Sequence, residues 1–166
     1  MLVSRALYFL LFLLILVSCA KDNIEDAAIK EKSLELQVLE AYNIGKDALE
    51  GGDVLYAAKK FNEAETLFPQ SDWAPKSALM AAYAYYSQDY YYDSIAELQR
   101  FLRIYPKYKD TAYVHYLMGI CYFEQIVDEK KDLQSIKEAK KKFIFILEEY
   151  PNTEYALDSE FKLDLV

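Results

Sequence analysis

A five-residue phrase built on an aromatic residue and a proline recurs three times in the chain. It reads Leu67-Phe68-Pro69-Gln70-Ser71, then Ile104-Tyr105-Pro106-Lys107-Tyr108, then Glu149-Tyr150-Pro151-Asn152-Thr153. Each copy closes an apolar segment with helical patterning. The first two prolines lie 37 residues apart and the next two 45 apart. A period of this size marks stacked helical pairs, because a single pair cannot bury its own apolar face. The phrase therefore predicts an all-α solenoid, an architecture that binds other proteins more often than it catalyses.

Setting the prolines on one frame aligns the rest of the chain. In repeat one, Ile44, Gly45 and Ala48 form the inner face of a first helix, and Ala57, Phe61 and Ala64 that of a second, with the turn at Gly51-Gly52-Asp53. Repeat two places Ala78, Ala81, Ala82 and Tyr85 on its first helix and Ser94, Leu98 and Phe101 on its second. Repeat three offers Gly119 and Tyr122, then Ala139, Phe143 and Ile146; eight extra residues within about Gln125 to Gln134 lengthen its inter-helix loop and account for the wider spacing. Small residues that let paired helices approach closely resemble the tetratricopeptide pattern. Ser71, Asp72 and Thr153 are candidate helix caps. The segment Glu154 to Leu165, with Tyr155, Ala156, Phe161 and Leu163, has the pattern of one more first helix, closing the end of the array. The predicted fold is a tetratricopeptide-like helical solenoid of three helix pairs plus a C-terminal partial fourth repeat, spanning residues 33–166.

Composition narrows the function classes. The chain is 54% hydrophobic with four glycines and four prolines, which suits an ordered helical domain and not a disordered one. It carries 19 basic against 27 acidic residues, a net charge of -8, opposite in sign to a protein that tracks a nucleic-acid backbone. One histidine excludes a multi-histidine metal site, and neither a Gly-rich phosphate loop nor a Cys-x-x-Cys pair occurs. These features argue against an enzyme and imply no metal and no cofactor. His115, near the packed face of repeat three, is expected to be structural. Cys121, in the apolar run from Gly119 to Phe123, is expected to be a buried small hydrophobe. Lys137, Glu138, Lys140, Lys141 and Lys142 form a solvated helix face.

The N-terminus has the layout of an export signal. Met1 to Arg5 is short and basic, and Ala6 to Val17 is free of charge. Twelve such residues span roughly 18 Å as a helix, too short for a bilayer core of about 30 Å. Leu16-Val17-Ser18-Cys19 looks like the lipobox of bacterial lipoproteins. That resemblance implies cleavage before Cys19, a lipid on its sulfur, and, with Ala20 following, retention at the outer membrane. Residues 1–18 are then the lipoprotein signal peptide and residues 19–32 the lipidated N-terminus and polar tether.

Sixteen tyrosines point to amphipathic surfaces. In tetratricopeptide arrays the first helix of each pair lines the concave side. Its outward positions here are Leu39, Tyr42, Lys46 and Leu49, then Lys76, Leu79, Tyr83 and Tyr86, then Tyr113, Tyr116, Ile120 and Phe123. Spacings of three and four put each set on one helical face. The candidate peptide-binding groove is Tyr42, Tyr83, Tyr86, Tyr113, Tyr116 and Phe123. Two occupations fit the pattern: the rings hold a ligand, or they pack between neighbouring helices. The Tyr90-Tyr91-Tyr92 cluster sits at the turn into the second helix of repeat two, with Tyr91 expected to pack on the next repeat.

Taken together, the lipobox, Ala81-Ala82-Tyr83-Ala84-Tyr85-Tyr86, Phe101-Leu102-Arg103-Ile104-Tyr105-Pro106, Tyr113-Val114-His115-Tyr116-Leu117-Met118-Gly119 and Tyr150-Pro151-Asn152-Thr153 resemble the BamD family. These are tetratricopeptide lipoproteins of the outer-membrane β-barrel assembly machinery. The resemblance implies a non-catalytic scaffold, lipid-anchored in the outer membrane and facing the periplasm. Its implied partners are a BamA-like barrel-assembly subunit, other Bam components and unfolded outer-membrane proteins, whose terminal targeting segments are aromatic and apolar. Family members carry more repeats than are seen here, and their C-terminal repeats make the main BamA contact; the substrate-facing half is the part that this chain covers. The alternatives from the residues are a lipoprotein scaffolding pilus or other envelope-complex assembly, and a periplasmic hydrolase or small-ligand sensor.

Overall fold

The computed structural model describes residues 24–126 and 133–166, with side chains from residue 34 onward. The export signal, the lipobox with Cys19, and the centre of the long third loop lie outside the described residues. All described elements are helical: α1 (Ile24–Glu50), α2 (Val54–Leu67), α3 (Trp73–Tyr86), α4 (Tyr91–Ile104), α5 (Thr111–Glu124), α6 (Leu133–Glu149) and α7 (Glu154–Leu163). There is no strand among the described residues. The chain divides into two units, Met1–Glu35 and Leu36–Val166. The first is described only as the helical stretch that starts at Ile24, inside the residues expected as a tether. Ala27, Ala28, Lys30, Glu31 and Lys32 are good helix formers, which favours helix there. The second unit holds the repeats.

Local chemistry sets the helix ends. Gly51, Gly52 and Asp53 donate their backbone N–H groups to Asp47, Leu49 and Ala48, tying off the end of α1. Gly52 takes a φ of 81°, where only glycine is unstrained. Asp53 then caps α2, its carboxylate accepting from the Tyr56 N–H at 3.1 Å. Thirty-seven residues on, Asp89 takes the place of Gly52 with a φ of 65°, and its carboxylate accepts from the Tyr91 hydroxyl at 2.7 Å. Aspartate is among the few residues that tolerate this region. Thr153 caps α7 as expected, accepting from the Ala156 N–H. Ser71 does not cap α3: its hydroxyl donates back to the Phe68 carbonyl at 2.8 Å. Asp72 stands at the N-cap, but already in helical conformation, and makes no capping bond. A side chain in that conformation points away from the free N–H groups it was expected to serve.

From α2 onward, consecutive helices pack on one another, and the three pairs plus α7 form the expected solenoid. Its core repeats on the proline frame. Ala57, Ser94 and Ala139 hold one position and are fully buried. Phe61, Leu98 and Phe143 hold the next large one, also fully buried, each worth about 1.5–3 kcal/mol of apolar burial. Gly45 and Gly119 face the two phenylalanines. A Cβ at Gly45 would stand 2.9 Å from Phe61 Cδ1, and one at Gly119 2.8 Å from Phe143 Cε1. At the same frame position in repeat two, Ala82 carries a methyl group, in the same core cluster as Leu98, which holds the frame position of the two phenylalanines. The ring is matched with glycine and the smaller leucine with alanine, so the summed volume of the two frame positions is nearly constant. Ser94 keeps its hydroxyl satisfied by accepting from the Cys121 thiol at 3.4 Å. Tyr91 packs against the cluster of α3, α4 and α5 residues, reaching the next repeat as expected.

Candidate functional site

Three first-of-pair helices present the tyrosine stripe, and the structure divides it into two parts. Tyr42 of α1, Tyr83 of α3 and Tyr113 of α5 line one open cleft of about 360 Å³, together with Lys76, Leu79 and Met80 of α3 and Tyr108, Lys109 and Asp110 of the α4–α5 linker. Tyr42 is held edge-on between Phe61, at 5.3 Å between ring centroids, and Trp73, at 5.0 Å. Lys76 extends over the Trp73 ring, its Nζ 4.9 Å from the centroid. Tyr83 is exposed, whereas Tyr113 is half-buried and stacks obliquely on Tyr155. These contacts give a packed aromatic floor with one solvent-facing ring, that of Tyr83.

The other three stripe residues are elsewhere. Tyr86 packs between Tyr83 and Tyr91 and touches two core clusters. Tyr116 donates to Asp158 of α7 at 2.6 Å and packs on Tyr155 at 5.2 Å. Phe123 lies against Phe143, with the Lys162 ammonium 4.8 Å above its face. Helix α7 thus covers the C-terminal half of the stripe. Ile120, expected to face outward, is 5% exposed and belongs to the core with Phe143 and Ile146. On α5 the helix is packed on both sides, by α4 and α6, so little of its circumference faces solvent. Leu39 and Lys46 remain exposed, and Leu49 packs with the α2–α3 cluster.

Burial pushes the phenols of Tyr42, Tyr86, Tyr108, Tyr113 and Tyr116 above the ordinary tyrosine value; for Tyr108 the Asp110 carboxylate adds to it, and for Tyr116 the hydrogen bond to Asp158 does. All five stay neutral at physiological pH. The cleft floor is therefore uncharged and amphipathic, with charge only at the rim, from Lys76, Lys109 and Asp110. Such a surface suits an extended segment with apolar or aromatic side chains, whose backbone finds phenolic hydrogen-bond partners.

The linker residues Tyr108, Lys109 and Asp110 were not singled out as site residues, nor was Met80. Tyr108 is part of the aromatic-proline phrase itself, so the phrase that marks the repeat also supplies a wall of the cleft. The isolated titratable groups lie off the cleft. The His115 ring packs 4.5 Å from Phe145, and desolvation, with Lys142 nearby, lowers its pKa to about 4. Burial raises the Cys121 thiol to about 11. The imidazole is thus neutral and the buried thiol protonated at physiological pH. No helix among the described residues is long and apolar enough to cross a membrane.

The YfiO family model, described as an outer membrane lipoprotein, matches residues 35–166. Curated relatives include outer membrane protein assembly factor BamD of Caulobacter vibrioides, 38% identical over 137 residues, which cover 82% of this chain and 44% of that protein. The protein of the same name from Rickettsia prowazekii is 31% identical over 125 residues, 75% of this chain and 50% of the relative. That from Neisseria gonorrhoeae is 28% identical over 162 residues, 90% of this chain and 60% of the relative. The chain thus spans about half the length of the curated relatives it matches.

Proposed function

The chain belongs to the YfiO family of outer membrane lipoproteins, and we propose that it is a non-catalytic scaffold of the outer-membrane β-barrel assembly machinery. It is anchored through lipid on Cys19, faces the periplasm, and holds segments of unfolded outer-membrane proteins in the Tyr42–Tyr83–Tyr113 cleft. The observation that carries this reading is the cleft: three partly exposed tyrosines from three successive repeats, on a chain whose relatives are named assembly factors. An extended strand offers alternate side chains to one face. Its apolar set enters the aromatic floor, and its free backbone groups meet phenolic hydroxyls and the Lys76 and Lys109 ammonium groups. Binding of this kind delays collapse of the segment without chemistry. The bound segment then passes to a BamA-like subunit of the same machinery.

Depletion of the protein in cells tests the proposal. The expected result is a fall in β-barrel protein in the outer membrane, with other envelope structures intact. Unchanged barrel levels together with loss of pili or of another envelope complex would overturn it.

A further inference from the structure

One buried ion cluster joins the first two repeats. Glu65 of α2 is 6% exposed, in a chain whose other carboxylates are mostly at the surface. Arg100 of α4 grips it in a two-pronged fork: Nη1 donates to Oε1 at 2.9 Å and Nη2 to Oε2 at 2.6 Å. The Tyr105 hydroxyl donates to the same Oε1 at 2.8 Å. Arg100 also donates to Asn62 Oδ1 at 3.3 Å and, through Nε, to Glu97 at 2.8 Å. Tyr105 is the aromatic residue of the second aromatic-proline phrase. Its ring packs on Phe101 at 5.2 Å, and Tyr108 packs on the same Phe101 at 5.5 Å. The Tyr108 N–H donates to the Tyr105 carbonyl at 3.1 Å, closing the turn between them. Tyr108 and its neighbours Lys109 and Asp110 are a wall of the cleft.

The next junction does without this device. On the repeat frame, Leu102 stands where Glu65 does, Phe145 where Arg100 does, and Tyr150 where Tyr105 does. The Tyr150 hydroxyl donates to the uncharged Thr111 hydroxyl, at 3.4 Å. The ion cluster is therefore not what a solenoid junction needs in order to hold. Replacing a buried ion pair by apolar residues is often neutral or stabilising, whereas a planar fork fixes geometry. We propose that Glu65, Arg100 and Tyr105 are positioning residues for the cleft: they fix the second repeat against the first and, through Phe101, set where Tyr108, Lys109 and Asp110 stand. The proposal rests on the reading of the cleft as a binding site, and its structural half can be tested without a ligand.

The test uses the full chain in detergent micelles, with methyl-labelled methionine, because Met80 lines the cleft. Tyr105→Phe removes one hydroxyl and Glu65→Gln removes the charge while keeping the shape. Both are expected to shift the Met80 methyl resonance. Both are also expected to weaken binding of a short fluorescent peptide ending in phenylalanine by about tenfold, the scale of one hydrogen bond to a charged group. Tyr150→Phe, the matching change at the third repeat, is expected to leave the Met80 signal and the affinity unmoved, whatever it does to the melting temperature. An unmoved Met80 signal in Tyr105→Phe and Glu65→Gln, or an equal shift in Tyr150→Phe, overturns the proposal. Failure of the unaltered chain to bind the peptide overturns the cleft's role instead, and the Met80 shift still decides whether the anchor sets the wall.

Discussion

The pairing of Gly119 with Phe143 makes a quantitative prediction about the solenoid's core. A methyl group at residue 119 would lie 2.8 Å from Phe143 Cε1 and 3.2 Å from Lys142 Cβ, against an ordinary contact of about 3.4–4 Å. Phe143 is fully buried and packs on Phe123, so its ring has little room to retreat. Overpacking of this kind costs about 1–3 kcal/mol. Replacing a mid-helix glycine by alanine returns roughly 0.5–1 kcal/mol. Gly119→Ala is thus expected to destabilise the chain by about 1–2 kcal/mol, a fall of roughly 2–8 °C in melting temperature. Phe143→Leu alone leaves a cavity and also destabilises. The double variant rebuilds the alanine and leucine found at Ala82 and Leu98 of repeat two, and should be more stable than the sum of the single changes by at least about 1 kcal/mol. The assay is chemical denaturation of the four proteins of the cycle. Additive effects, or a Gly119→Ala variant as stable as the parent, would refute the idea that the glycine exists to admit the ring.

Other predictions follow from the site. Tyr83→Ala should weaken peptide binding with little change in melting temperature, because the ring is exposed in the cleft, whereas Tyr86→Ala should lower the melting temperature, because that ring packs in the core; the reverse pattern would exchange their roles. For His115, burial lowers the folded-state pKa to about 4, below the ordinary 6.5, so its contribution to stability is fully present above about pH 6.5 and is lost as pH falls toward 4. His115→Phe should flatten the pH dependence of the unfolding free energy within that window by an amount on the order of 2 kcal/mol, after allowing for solvent screening of the partly exposed ring, as measured by chemical denaturation across pH, and an unchanged acid limb would show that the imidazole is not the titrating group.

Features set by local chemistry are legible in the sequence itself. The Gly51-Gly52-Asp53 turn, the Thr153 cap and the small and large core positions depend on φ, on side-chain volume and on spacing along one helix. Each is therefore written within a few residues. The polar anchor was not legible, because Glu65 and Arg100 are 35 residues apart and meet only once the rotation between repeats is set. The division of the tyrosine stripe was hidden for a similar reason. Tyr42, Tyr83, Tyr86, Tyr113, Tyr116 and Phe123 have equivalent helical phase, and only tertiary placement sets the covered rings apart: Tyr91 of α4 packs on Tyr86, and α7 packs on Tyr116 and Phe123. Ser71 shows the limit at short range: a residue of the right type before a helix can satisfy its hydroxyl on the preceding carbonyl instead.

Site-specific photocrosslinking from position 83 in living cells bears most directly on what the cleft holds. A crosslinking residue in place of Tyr83 should capture unfolded outer-membrane β-barrel proteins, and capture should fall when Tyr42→Ala or Tyr113→Ala is added. Crosslinks confined to pilus or cell-wall components, or barrel-protein crosslinks equally strong from the exposed Tyr92, would contradict a binding role for the cleft.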